Sequence, residues 1–135
     1  MALFRSFKEV KIMLEVYSTN IDVAADSAIP FNNVSIKKGT TAVESAPATI
    51  QLNKCGVYMI SFDGVSSVET NVQMLKDGVA QPQAQSTGTS LSFITLVQVQ
   101  NSNSNCACAS PTLLQFMNSE AATFDNINVV VTKIC

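Results

Sequence analysis

Four cysteines hold most of the reactive chemistry of this 135-residue chain: Cys55, Cys106, Cys108 and Cys135. They allow three full pairings. Cys106 and Cys108 are too close in sequence for a standard disulfide with each other, but both could bridge to Cys55 and Cys135 if their loop lies near them. For a chain that folds in a cytoplasm, reduced thiols are favoured. A zinc site fits poorly, because Cys-x-Cys plus two scattered cysteines is not a zinc-knuckle spacing.

The sequence contains no histidine. Its absence removes Ser-His-Asp and Cys-His nucleophile systems and histidine-ligated metal sites. No carboxylate is paired in sequence with a base, although scattered carboxylates can meet in a fold, as in glycosidases. We therefore predict no enzyme, no cofactor and no metal site. The candidate acids are Asp63, Glu69, Asp77, Glu120 and Asp125.

The composition favours a folded all-β domain over a highly charged monomer. Charged residues make up 13% of the chain and hydrophobic residues 47%, and most of the polar remainder is Ser, Thr, Asn and Gln. Such a surface is typical of a subunit that is partly covered in an oligomer. The net charge of −2 and the lack of a basic run predict no binding to nucleic acid.

The N-terminus does not have the pattern of a secretory signal, because charges interrupt the apolar positions of residues 1–15. The longest uncharged apolar run, around Gly56 to Phe62, is too short to span a bilayer. We expect no membrane insertion and assembly in the cytoplasm of a host cell, or export by a route that the N-terminus does not encode.

Residues 1–20 fit two patterns, a helical spacing and a strand alternation. We predict a short helix or extended arm up to about Lys11, followed by a strand through Tyr17. The corresponding domains are an arm over residues 1–20 and a sandwich domain over residues 21–135. The arm either docks the protein on a particle or only covers a sheet edge. The candidate docking residues are Phe4, Phe7 and Val10.

The body of the chain is organised around residues 48–67, which predict a strand, a turn at 53–56 and an interior strand from Val57 to Val65. Gly56 is expected to take a positive φ. Asp77-Gly78 is the strongest hairpin signal. Residues 41–47 and 80–90 are predicted as loops.

Further strands are predicted at 70–76, 91–100, 112–116 and 127–134. In total we expect about eight short antiparallel strands and no helix in the body, which indicates a β-sandwich or jelly roll.

Three motifs in order resemble the jelly-roll superfamily of tumour necrosis factor and the globular heads of the first complement component. They are Gly56-x-Tyr58 opening a buried strand, Leu75-Lys-Asp-Gly78 at a hairpin, and a final apolar strand over 127–134. Residues 28–33 stand where that family has its first strand. The bacterial and bacteriophage members, such as head fibres and decoration proteins, are typically trimeric. The chain departs from the family in lacking a collagen-like stalk and in carrying Cys106-Ala-Cys108, and no acidic cluster matches the family's calcium sites.

Both faces of the strand from Gly56 are largely apolar, because Val57 and Met59 alternate with Tyr58, Ile60 and Phe62. One face must fill the sandwich, and the other would leave an apolar patch on a monomer. We predict that Tyr58, Ile60 and Phe62 lie near the axis of a homotrimer. The alternative is a thick sandwich in which loops cover the outer face.

The predicted function is that of a non-enzymatic, trimeric subunit of a virion surface, attached through its arm to a capsid or other particle protein. The alternative is a trimeric module that binds a receptor or a host surface glycan through the polar segments 80–90 and 101–110. Asn, Gln and Ser in these segments suit hydrogen bonding to sugars, but solvated loops commonly contain them.

Overall fold

The computed structural model describes residues 11–100 and 111–134, and all regular structure in these residues is β-strand. There are nine strands in the described part of the chain, where the sequence predicted about eight. They are β1 (Lys11–Val23), β2 (Ser27–Ala28), β3 (Asn33–Lys37), β4 (Ala42–Ala46), β5 (Thr49–Leu52), β6 (Gly56–Lys76), β7 (Val79–Val99), β8 (Thr112–Asn118) and β9 (Ala122–Lys133).

The strands form one antiparallel sheet that folds over on itself into two layers. The first half of β6 pairs with β9 and with the last part of β7, whereas its second half pairs with β8 and with the first part of β7. Layer one therefore has the order β3-β1-β9-β6-β7. Layer two contains β4, β5, β8 and the remaining halves of β6 and β7, and β2 pairs with β8. This is the predicted all-β jelly-roll sandwich.

A long hairpin of β6 and β7 connects the layers and bends between them. The register of the pair shifts between Val65 and Thr70, and Gly88 opposite has a φ of 138°. Between these paired positions β6 contains three more residues than β7. The extra residues bend the hairpin, so that both strands turn from one layer into the other. The molecule therefore has a corner end, at this bend, and a hairpin end, at the turn between Lys76 and Val79.

The predicted turns have the expected geometry. Asp77 and Gly78 have φ values of 51° and 82° and join paired residues Lys76 and Val79, as in a two-residue primed turn. Gly56 has a φ of 145°. Both turns lie at the hairpin end.

Several polar segments predicted as turns or loops are strands. Residues 80–90 belong to β7, where Ser86 and Gln85 pair with Val72 and Gln73. Pro82 is tolerated because it lies in a register shift, where the ladder does not need its missing N–H. Residues 42–46 form β4, paired with β5. The polar residues in these segments suggested loops. They occur in strands because one face of each strand lies in solvent.

β1 continues beyond the predicted end at Tyr17. It pairs with β9 as far as Val23, because its polar residues find partners: Ser18 Oγ donates to the Pro30 carbonyl (2.9 Å) and accepts from the Asn32 N–H (2.8 Å). The boundary that we placed between arm and domain at residue 20 thus falls inside a strand of layer one. Residues 1–10 lie outside the described residues.

Phenylalanine rings join the two layers. Phe62 of layer one stacks on Phe116 of layer two, with ring centroids 5.4 Å apart, and on Phe93 at 5.2 Å. Phe31 meets Phe116 edge-on at 5.9 Å. Phe116 is fully buried, so it sits at the centre of the contact between the layers.

Replacing Phe116 with alanine is expected to lower the free energy of unfolding by about 3–5 kcal/mol, because it removes ring contacts and leaves a cavity between the layers. Leu113→Ala on the same strand is the control, because Leu113 is 38% exposed; it should cost about 1 kcal/mol or less. Chemical denaturation at one fixed protein concentration measures both. Equal losses in the two variants would contradict this description of the core.

Candidate functional site

The outward face of layer one carries an apolar patch at the hairpin end, and this patch is the candidate functional site. Its most exposed members are Ile94 and Leu96 on β7, which are 66% and 58% exposed, and Ile12 on β1, which is 42% exposed. Met59 and Val130 are half-buried. We call these five residues the outer patch.

The strand register places the members of the outer patch in two adjacent rows, with the polar residues Thr132 and Ser61 between them. Leu96 is the partner of Met59, Met59 of Thr132, and Thr132 of Ile12. In the adjacent row, Ile94 and Val130 flank Ser61 on β6. At about 4.8 Å between strands, each row is roughly 14 Å wide. Residues from four strands that are far apart in sequence therefore form one surface.

Tyr58, Ile60 and Phe62, which were predicted to lie near a trimer axis, have no exposed surface within the single chain. Their side chains fill the space between the layers, and the Tyr58 hydroxyl donates to the Lys54 carbonyl at 2.6 Å. The predicted alternation is correct but its phase is reversed, because the most bulky residues of the strand form the core. The outward side chains are those of Val57, Met59 and Ser61.

Beside Val130, in the same row of the sheet, this face becomes polar at Glu15 of β1. Ser35 Oγ donates to Glu15 Oε1 at 2.5 Å, and Asn128 Nδ2 donates to Glu15 Oε2 at 3.0 Å. These hydrogen bonds stabilise the charged form and hold the pKa of the Glu15 carboxyl below its ordinary value of 4.5, against a smaller opposing effect of desolvation. The outer patch thus has a polar border on β1, β3 and β9.

The other candidate residues are not brought together into a site. Asp77 lies at the hairpin turn and its Oδ1 accepts from the Leu113 N–H at 2.9 Å, whereas Glu69, Glu120 and Asp125 lie at the corner end. Among residues 11–100 and 111–134, no three acids or cysteines are grouped so that they could hold a metal ion. The docking residues Phe4, Phe7 and Val10 lie outside the described residues, so their role stays a prediction.

The predicted polar binding segment 80–90 is a strand whose amides contact one another. Asn71 Nδ2 donates to Gln85 Oε1 at 3.1 Å and to Thr87 Oγ1 at 2.9 Å, and Gln85 Nε2 donates to the Pro82 carbonyl at 3.0 Å. These groups already have partners within the chain. Segment 101–110 lies outside the described residues.

Cys55 is disulfide-bonded, so the expectation of reduced thiols is wrong for this cysteine. It precedes β6 at the hairpin end, where β7 ends, β8 begins and β9 ends. The other three cysteines lie outside the described residues. In the part of the chain that the structure describes, no helix has the length and apolar character to cross a membrane.

Comparison with solved structures supports the fold. The vertex protein P5 of PRD1 superposes with a TM-score of 0.64 at 17% identity, covering 93% of this chain and 99% of that one. The globular domain of zebrafish complement 1qA protein gives 0.65 at 9% identity, covering 90% and 95%. Murine APRIL gives 0.63 at 7% identity, covering 87% and 97%.

No protein-family model and no curated protein matches the sequence. At these identities the structural likeness establishes the fold and leaves activity open. The chain has the jelly-roll fold of the tumour necrosis factor and complement globular-head type, as its sequence motifs predicted, and this fold is similar to that of a PRD1 vertex protein.

The hydrogen bonds at Glu15 predict a pH-dependent contribution to stability. A carboxyl whose folded pKa is depressed contributes stability above its unfolded pKa, here about 4.5, and loses it as the pH falls through the lower folded value. Glu15→Gln should therefore lower the free energy of unfolding at pH 7 by up to about 1 kcal/mol, since solvent screens this exposed site. At an acidic pH well below 4.5, where the carboxyl takes up its proton, the difference should shrink.

Urea denaturation of both proteins at the two pH values measures this effect. The matched control introduces Glu15→Gln into a Ser35→Ala variant, which lacks the Ser35 hydrogen-bond donor. In that variant Glu15→Gln should lower the free energy of unfolding by less than in the natural chain. A Glu15→Gln effect that is the same at both pH values would show that the charge of Glu15 does not contribute.

Proposed function

We propose that this chain is a non-enzymatic structural subunit of a bacteriophage virion surface, assembled as a homotrimer through the outer patch and mounted on the particle through residues 1–10. The observation that carries the proposal is the position of Ile94 and Leu96. They are highly exposed in the single chain and lie on a regular strand, where Leu96 is paired with Met59 of the outer patch. The similarity of fold to a phage vertex protein supports the choice of particle.

The outer patch has a physical reason to be covered. Full burial of one Ile or Leu side chain is worth about 1.5–3 kcal/mol, and the patch contains Ile12, Ile94 and Leu96 together with two partly exposed residues. Exposed apolar surface of this kind marks association sites in soluble proteins. A second copy of the chain is the simplest cover, because it is present wherever the first copy is.

A ring of copies fits the location of the outer patch. Ile94 and Leu96 lie on β7, which is the last strand of layer one, and β7 pairs only with β6 among the described residues. In the proposed assembly, a neighbour covers them with a different surface of its own, as the position at the sheet edge allows. Such heterologous contacts close into a ring when the rotation between copies permits it. A threefold ring is what the family resemblance implies.

The polar border helps to fix the register of the association. Glu15, Ser35 and Asn128 satisfy one another within the chain, so a neighbour does not have to provide partners for them. A copy that slid toward β1 and β3 would place apolar side chains on this network and would bury a charged carboxylate at a cost.

Replacing Ile94 and Leu96 together with aspartate is expected to convert a trimer into a monomer, because charges would then occupy the interface. Size-exclusion chromatography with light scattering should give three times 14.4 kDa for the natural chain and 14.4 kDa for the variant. The control variant, Val79→Asp with Leu113→Asp, changes exposed residues of layer two and should stay trimeric. A natural chain that is monomeric at micromolar concentration would contradict the proposal.

Deleting residues 1–10 is expected to abolish attachment to the particle and to leave the trimer intact, since the deletion ends before β1. Co-sedimentation with virions that lack the subunit measures attachment, and light scattering measures the trimer. Phe4→Ser with Phe7→Ser should weaken attachment in the same direction. Full attachment of the shortened chain would exclude the docking role of this segment.

A further inference from the structure

The fold collects lysines at one end of the molecule. Lys11 is paired with Lys133, Lys37 with Leu14 near the start of β1, and Lys54 lies in the turn before β6. The Lys76 ammonium donates to the Gln98 carbonyl at 3.0 Å. All six lysines of the described residues thus lie at the hairpin end, although no basic run exists in the sequence. They are Lys11, Lys37, Lys38, Lys54, Lys76 and Lys133.

Carboxylates are collected at the opposite end. Asp22 is paired with Thr123 where β1 ends, Glu69 lies in the bend of β6, and the Glu120 N–H donates to Thr70 Oγ1 at 3.0 Å. Asp26 lies in the turn between β1 and β2, and Asp125 lies in β9 between residues paired with β1. All five carboxylates are exposed.

Charge is unequally divided among the described residues. The hairpin end carries six lysines and three carboxylates, Glu15, Glu44 and Asp77, for a balance of +3. The corner end carries five carboxylates and no lysine or arginine, for −5, and Asp63 lies between the two ends. Ten residues of strand separate the ends by roughly 33 Å, which exceeds the Debye length of about 8 Å at physiological ionic strength. A partner at the hairpin end therefore meets a basic surface, even though the whole chain has a net charge of −2.

We propose that the hairpin end binds an acidic protein surface, which in the particle is the acceptor on which this subunit is mounted. This inference rests on the proposed function and adds the chemistry of the partner and the direction of the subunit. Lys11, the first described residue, lies at the hairpin end, so the segment proposed to dock is joined to the domain there. The acidic corner end then points away from the particle.

The residues favour a protein partner over a nucleic acid. All six cations that the structure describes at this end are lysines, which act as point charges without the bidentate fork with which arginine recognises phosphates and base edges. Single strands also require exposed aromatic rings for stacking. In the part of the chain that the structure describes, the aromatic ring at this end is Tyr58, which is buried.

The test measures binding of the full chain to immobilised polyglutamate at pH 7 and low ionic strength. The natural chain is expected to bind despite its negative net charge and to be released by salt. Replacing the four exposed lysines, Lys11, Lys37, Lys38 and Lys54, with glutamine should weaken binding about tenfold or more, the low end of the range for steered association. Replacing the same four lysines with arginine should preserve binding.

The matched control neutralises the other end with Asp26→Asn, Glu69→Gln, Glu120→Gln and Asp125→Asn. It should bind polyglutamate at least as tightly as the natural chain. Circular dichroism verifies that each variant is folded. If the glutamine variant does not fold, the arginine variant still tests the proposal. Loss of polyglutamate binding in the arginine variant would contradict a role for charge. No binding of the natural chain to polyglutamate would overturn the proposal, as would equal binding of the lysine and carboxylate variants.

Two further outcomes separate this inference from the proposed function. Binding to phosphatidylglycerol vesicles or to DNA without binding to polyglutamate would overturn the assignment of a protein partner. A trimer that attaches to virions with the same affinity at low and high salt would overturn the basic docking surface and leave the structural function intact. A monomeric chain that binds polyglutamate would overturn the proposed trimer and leave the basic docking surface intact.

Discussion

The alternation of side chains along the first half of β6 is the constraint on which the rest of the structure depends. Tyr58, Ile60 and Phe62 point between the layers and are fully buried, so the neighbouring residues Val57, Met59 and Ser61 must point outward. Successive side chains of a strand point to opposite faces of the sheet, so packing against one layer buries only every second side chain. A central strand with apolar side chains on both faces therefore requires a cover on each face. Layer two covers one side, and the proposed association covers the other.

The same strand connects the layers, which couples the core to the candidate site. β6 provides Phe62 to the stack with Phe116 and, one residue earlier, Ser61 to the row between Ile94 and Val130. A change that shifts the register of β6 by one residue would exchange core and surface together. The bend between Val65 and Thr70 and the turn at Asp77-Gly78 fix this register at both ends of the hairpin.

Much of the fold could be predicted from the sequence, because the signals involved are local. Asp77-Gly78 requires positive φ at two positions, and the apolar run from Val57 is a buried strand in almost any context. The polar strands were missed for the opposite reason. Residues 80–90 become a strand only because β6 lies beside them, and their exposed face contains the Gln and Ser that otherwise indicate a loop.

The candidate site was only partly predictable. Two apolar faces on one strand could be recognised from the alternation, but the alternation alone does not show which face points inward. The signal for that was the bulk of Tyr58, Ile60 and Phe62, which fill the core. The basic end was missed because its lysines lie in four strands and two connecting segments that only the fold brings to one end. The net charge of the chain conceals this arrangement, since positive and negative groups cancel in the sum.

Oxidation of Met59 provides the most direct test of the central claim that sister copies cover the outward face of layer one. The Met59 side chain is half-buried in the single chain and lies in the outer patch, whereas Met74 is fully buried in the core and serves as the internal reference. Hydroxyl-radical footprinting with mass spectrometry should show Met59 as protected as Met74 at high protein concentration, and more reactive than Met74 on dilution below the dissociation constant. Met59 oxidation that is faster than that of Met74 and independent of protein concentration would contradict the account.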